Sequence, residues 1–280
     1  MRNKSDDRPD PLDFSEFGPE ATWRRGLNDI AAALRFYTRL PLFGRRAENH
    51  GAPDFARMAW ATPIAGAVVG VIGACIFAFC VWANLSPIVA AGVSLAAMIV
   101  TTGAFHEDGL ADTADSLGAY TVQDRLEVMR DSRIGTFGAC ALILSLLLRA
   151  GLLASIFEAH GLLAACLVLI AAETTSRAGS LAMGYSLPPA RSEGAAISAG
   201  KPTGDGFFHA ALVAGLVTAL CVATTIGFGT GLAAFAAVYL AAFLMVRFAA
   251  RMYRGQTGDA AGATQQVATL AFLAAVAMLR

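Results

Sequence analysis

Charge is scarce in this chain of 280 residues: Asp, Glu, Lys and Arg make up 15% of it, against about 25% in a typical soluble domain. With 56% hydrophobic residues and a mean hydropathy of +0.57, the polar residues are too few to coat a water-soluble globule. Acidic and basic residues balance at 21 each, which argues against a nucleic-acid partner, since such surfaces are basic. Cysteine is limited to Cys75, Cys80, Cys140, Cys166 and Cys221, all in apolar runs and none in CxxC spacing. They read as small packing residues, not as metal ligands or disulfides. No Ser-His-Asp or Cys-His arrangement, Walker-type Gly-Lys-Ser motif, heptad or repeat occurs. Of the histidines, His50 and His160 fall in loops, His209 opens an apolar run, and His106 adjoins an acidic cluster.

What the chain has instead is long apolar runs. Seven approach the roughly 20 residues that span a bilayer, at about 59–82, 86–105, 137–157, 161–183, 207–227, 230–249 and 262–279. The expected fold is therefore an all-α, polytopic membrane bundle of about seven transmembrane helices. Gly66, Gly70 and Gly73 form a surface of small residues for close helix contact. Residues 26–43 place Ile30, Leu34 and Tyr37 along one side, the pattern of an amphipathic helix on the membrane surface that Pro41 ends. Residues 1–25 are polar and read as disordered, leaving 26–280 as one integral membrane domain. The loops at 83–85, 158–160 and 228–229 hold no Lys or Arg, whereas the N-terminal segment, 106–136, 184–206 and 250–261 hold most of them. That asymmetry predicts a cytoplasmic N-terminus with every basic loop inside.

Charges inside the runs need separate treatment, since each is costly in hydrocarbon. Arg149 lies in the third run and Glu173 in the fourth, at similar expected depth, with Arg177 one helical turn after Glu173. An Arg149–Glu173–Arg177 cluster would offset the cost of burial. Either it glues two helices together, or Arg177 faces a polar cavity and binds a phosphate.

The most distinctive stretch is Phe105 to Gly138. It packs Glu107, Asp108, Asp112, Asp115, Asp124, Glu127 and Asp131 together with three arginines into one loop. A helix over His106–Ser116, continuing from the second run, puts Asp108, Asp112 and Asp115 on one face at i, i+4 and i+7. Like charges so placed repel, and an oxygen-only cluster suits Mg²⁺ or Mn²⁺. Gly109 would keep that face open, while Arg130, Arg133 and the Gly135–Thr136 amides supply an anion-binding side. Such a mixture fits metal-assisted phosphoryl transfer. A cation-coupled transporter is the alternative, although transport favours acids deep in the spans and this triplet sits at a membrane edge. A structural scaffold is the third reading.

The run HEDGLADTADSLGA, followed by RLEVMRDSRIGTFGACAL, resembles the signature of the cobalamin synthase family, the adenosylcobinamide-GDP ribazoletransferases. FYTRLPL at 36–42, Pro63 and Gly66, Thr175-Ser176-Arg177 and TGDAAGA at 257–263 extend the resemblance over most of the chain. The resemblance implies a Mg²⁺-dependent enzyme of the bacterial cytoplasmic (inner) membrane. It would join adenosylcobinamide-GDP to α-ribazole or its 5′-phosphate and release GMP. On that basis Asp108, Asp112 and Asp115 are expected to bind Mg²⁺, with Glu107 beside them, and Asp108, Asp112 and Asp131 to serve the chemistry, Asp131 as a further ligand or base. Arg130, Arg133, Lys201 and Arg177 are expected to hold substrate, and Asp259 lies in a loop able to close over it. Expected partners are the two substrates and the lipid bilayer, with a homo-oligomer or other cobamide-pathway enzymes as further candidates. One departure is Gln266, where the family pattern leads one to expect Glu.

Overall fold

The computed structural model describes residues 19–41, 54–191 and 199–279, which form helices joined by short loops. No strand occurs among them, only a single bridge between Pro189 and Gln256. The first helix, α1, spans Pro19–Tyr37, so it begins before the expected start at 26 and ends ahead of Pro41. The Thr38 hydroxyl closes it by donating to the Leu34 carbonyl at 2.7 Å. Its buried side carries Ala33 and Tyr37 against Met58, Ala61 and Ala65. Asp29 on another side accepts from Arg57 and Trp60.

A short helix, α2 (Phe55–Met58), leads through a 3-10 turn into α3 (Thr62–Trp82). The glycines of α3 do what small residues do in membrane bundles, letting backbones touch. A Cβ on Gly70 would stand 2.7 Å from the Ile170 Cα, and one on Gly66 would collide with the Glu173 carbonyl. Helix α4 (Pro87–Thr102) ends at Gly103 (φ 68°) and Ala104 (φ 57°), two successive left-handed residues. The next helix, α5 (Phe105–Asp115), is turned by 93° from α4. The expected continuation of the second run is thus broken, because a left-handed pair reverses the path that a helix would hold. Arg39 locks this corner: its backbone N–H donates to Thr101, and its side chain fills the space beside Gly103.

After α6 (Val122–Val128), helix α7 runs from Thr136 to Ser186 with a single non-helical residue, Gly161 (φ 81°). It is a hairpin. Arg149 and Glu173, 24 positions apart, are bonded at 3.2 Å, whereas a straight helix would part them by about 36 Å. The remaining helices are α8 (Gly204–Thr218, extended by a π-turn to Ala223), α9 (Phe228–Met252) and α10 (Gly258–Met278). Among the described residues, five helices are long and apolar enough to cross a membrane, or six if α4 and α5 count as one bent span. With α7 folded into two arms, each of the seven apolar runs coincides with a helix or an arm. The outward faces carry Phe79, Val100, Leu147, Leu216, Leu240 and Phe243 exposed, as surfaces facing lipid should. The inward core is rich in alanine.

Candidate active site at the α5–α10 contact

The site is built by α5 lying against the first turns of α10. A Cβ on Gly109 would come within 2.7 Å of the Asp259 carbonyl, and Gly262 sits 3.5 Å from the Gly109 Cα on the same measure. Glycine here serves close helix contact, not an open approach to the Asp face as expected. Its effect is to bring Asp259 alongside Asp108 and Asp112. Thr257 caps α10 by accepting from Ala260 at 3.0 Å, and so fixes Asp259 in the first turn, where an acid is favoured.

Asp112 registers the crowding. Burial, then the charges of Asp108, Asp259 and Asp115, push its carboxyl up from 3.8 to about 7, against the pull of Arg191. Arg191 stands 4.0 Å from Asp259 and donates to the Leu126 carbonyl at 2.9 Å. The bridge that precedes it explains its position: Ala190 N–H donates to Gln256 and Gln256 N–H to Pro188, at 2.9 and 2.8 Å. A side chain at Gly255 would strike Ala190. Arg191 and Asp259 are therefore held together by backbone pairing between residues 66 and 68 positions apart in sequence.

The other expected residues take different places. Asp115 is an anchor: its two oxygens accept the Gly135 and Gly138 N–H groups at 2.7 and 2.8 Å, capping the N-terminus of α7. Any Cβ on those glycines would overlap its carboxylate. Asp131 pairs with Arg133 on the surface, accepting from its Nε at 3.0 Å and its Nη2 at 2.5 Å. Arg133 holds the Asp131 carboxyl down at about 2, which makes it a weak proton acceptor. Arg130 lines an open groove of about 910 Å³ with Asp131, α6 and Arg191. Lys201 is exposed, between Gly200 and Pro202, both of which border a second cavity near Asp108 and Asp259.

Glu107 points away from this face into the bundle. Its Oε1 accepts from Arg149 at 3.2 Å and from the Gln266 amide at 3.0 Å. Arg149 also reaches Glu173 at 3.2 Å and the Gln266 Oε1 at 2.8 Å. Glu173 takes a short bond from Arg177, which also donates to the Glu173 carbonyl at 3.1 Å. The expected Arg149–Glu173–Arg177 cluster forms and recruits Glu107. Arg177 is 1% exposed and is spent on Glu173. Gln266 fits the neutral count of two carboxylates and two guanidinium groups, since its oxygen meets the cation while its NH₂ meets the anion. Gln265 continues the network to Ser176 and Thr269.

His106 is buried and stacked on Tyr37, with ring centroids 5.6 Å apart and planes 10° from parallel. Burial first, then Arg177 and Arg149, hold its pKa well below the usual histidine value, so the ring is neutral. Among the described residues, no group of three or more His, Cys, Asp or Glu side chains is gathered at metal-binding spacing. The donor set nevertheless suits a hard cation: Asp108, Asp112 and Asp259 offer oxygen alone, and burial together with the neighbouring carboxylates raises Asp112 despite Arg191. The sequence does not mark Arg191 as a site residue. The only trace there is its place in a basic loop.

An all-α membrane protein with clustered acids and Arg191 beside them at the edge of its bundle has the makings of an enzyme acting on phosphorylated substrates. The chain belongs to the cobalamin-5-phosphate synthase family, which matches residues 29–277. Similar proteins include the adenosylcobinamide-GDP ribazoletransferases of Azorhizobium caulinodans (46% identical, covering 90% of this chain and 96% of the relative) and Xanthobacter autotrophicus (46%, 89% and 95%). That of Bradyrhizobium diazoefficiens is 41% identical over 90% of this chain and 94% of its own. No solved structure matches.

Proposed function

We propose that this chain transfers the adenosylcobinamide phosphate group from adenosylcobinamide-GDP to α-ribazole or its 5′-phosphate. The family and its similarly named relatives support this reading, and a transporter finds no support in them. The observation that carries the site is the convergence of Asp108, Asp112 and Asp259 with Arg191, where Asp112 is raised to about 7. In the reaction, the ribazole 3′-hydroxyl oxygen bonds to the corrinoid-side phosphorus as the pyrophosphate P–O bond breaks. The hydroxyl loses its proton and GMP leaves with the bridging oxygen.

Asp108, Asp112 and Asp259 are the residues that would hold Mg²⁺, which when bound neutralises charge on the phosphates. Arg191 is placed to hold a phosphate oxygen beside them, and Arg130 borders the groove through which a large substrate can reach the site. Asp115 keeps the third span's start fixed against α5. The α5 helix, lying across the bundle's end, keeps the site at the membrane edge. With the basic loops on one side, that edge is the cytoplasmic face of the bacterial inner membrane.

The test is GMP release by purified protein given adenosylcobinamide-GDP, α-ribazole and Mg²⁺. Asp112→Asn should lower it on the order of 100-fold or more, while Asp131→Asn leaves most of it. Equal rates for wild type and Asp112→Asn would remove the acidic cluster from the chemistry.

A further inference from the structure

Beside the acidic cluster lies a cavity of about 250 Å³, bordered by Phe36, Tyr37, Phe55 and Phe105 and also by Asp108 and Asp259. Its walls are unusually aromatic and well set. Phe36 packs edge-on to Phe55 and to Phe105 with centroids 5.3 and 5.2 Å apart, and His106 lies flat on Tyr37. These aromatic residues come from three separate stretches of chain, and Ser180, Leu181 and Gly184 of α7 join them in the lining.

From this arrangement we infer that the cavity is the subsite for the acceptor nucleoside, its bicyclic aromatic base among the phenylalanines and its ribose hydroxyls towards Asp108 and Asp259. The inference rests on the transferase reading for the identity of that nucleoside. Size excludes the corrin macrocycle, which a space for one flat bicycle cannot admit. Guanine carries donors and acceptors on its edges that an apolar aromatic wall would leave unpaired, at a cost of discrimination that favours a benzimidazole. The same cavity carries both aromatic rings and carboxylates in its lining. A base seated among the rings directs its sugar to the carboxylates where phosphorus chemistry is placed, and seating the base orients the attacking hydroxyl.

The experiment is equilibrium binding of α-ribazole to the full chain in lipid nanodiscs, with EDTA and without the corrinoid nucleotide, so that no turnover is required. Ser180→Leu extends a side chain into the cavity and removes no hydrogen bond to another helix, because the hydroxyl bonds within α7, to the Arg177 carbonyl at 2.8 Å. Phe55→Leu keeps the wall apolar and removes a ring. Saturable binding to wild type, weakened about 10-fold or more in both variants, with guanosine unable to compete, is the expected result. In turnover, the KM for α-ribazole should rise in these variants while that for adenosylcobinamide-GDP stays put. Unaltered binding in variants that melt like wild type, equal competition by guanosine, or no saturable binding to wild type (as when a lipid chain fills the space) each overturns the assignment. Absence of GMP release with the binding pattern intact would instead sink the transferase reading and leave the cavity a nucleoside site.

Discussion

Glu107 and Asp108 are neighbours in sequence and opposites in environment. Glu107 is 8% exposed and shares Arg149 with Glu173 in a network whose charges cancel. Asp108 is exposed on the other side of the same helix, facing Asp112 and Asp259 with one arginine among three acids. The first arrangement fastens α5 to the bundle. The second leaves charge unbalanced where a cation and phosphates can enter. One helix thus separates holding from acting by a single residue, and acidity alone does not tell the two apart.

The comparison breaks most completely at Arg149. Replacing it with methionine leaves the buried Glu107 and Glu173 with the single guanidinium of Arg177 between them, and loss of one partner from a buried charge network costs about 3–5 kcal/mol. Arg149→Met should therefore show a collapsed thermal transition in detergent, and adding Glu107→Gln should recover part of it. A melting curve like the wild type's would mean that the buried network does not fasten α5.

The acting face can be broken without removing any charge. Gly109→Ala adds one methyl group 2.7 Å from the Asp259 carbonyl, and overpacking of this kind costs about 1–3 kcal/mol. Its relief lies in α5 moving off α10, which parts Asp108 and Asp112 from Asp259. GMP release should fall at least about 10-fold, more than stability alone explains, because misplacing reacting groups by an ångström carries such penalties. Full activity would show that Asp259 is dispensable.

Asp115 sits between the two roles and gives a milder test. Asp115→Ala removes acceptors from the Gly135 and Gly138 N–H groups and should cost about 0.5–2 kcal/mol, as lost helix caps do. The melting temperature should drop while the KM for substrate changes little. A larger loss of activity than Asp112→Asn produces would return Asp115 to the chemistry.

Much of this fold was legible in the sequence because membrane helices are set by local composition. The seven apolar runs coincide with helices or arms, and counting residues from Gly161 places Arg149 and Glu173 at equal depth. The i, i+4, i+7 face of α5 follows from helical geometry as well. What was not legible depends on contacts distant in sequence. The corner at Gly103 and Ala104 lies at the end of an apolar run whose hydropathy does not register a left-handed pair. The meeting of Asp108 with Asp259 requires Gly109 to face Gly262, and Arg191 is set by pairing around Gln256. Asp115 belonged to the right face, but nothing in its spacing revealed that the amides of α7 claim both its oxygens.

The gentlest test of the comparison is titration of the acting face alone. In the folded protein Asp112 holds its proton to about pH 7, whereas its ordinary value is 3.8. Between those values the folded state binds a proton that the unfolded state has released, so stability falls as pH rises from about 4 to about 7 and levels off above. Asparagine cannot ionise, so Asp112→Asn lacks this loss. With EDTA present, the melting temperature of the variant should gain on that of wild type between about pH 5 and about pH 8. Because Asp112 is only partly buried, solvent screening keeps the gain small. Added Mg²⁺ should narrow the gap at the higher pH by supplying the positive charge that the cluster lacks, and should do little at the lower. A gap that ignores pH would mean that Asp108, Asp112 and Asp259 repel no more than the paired charges on the opposite face, and the distinction between the two sides of α5 would fall.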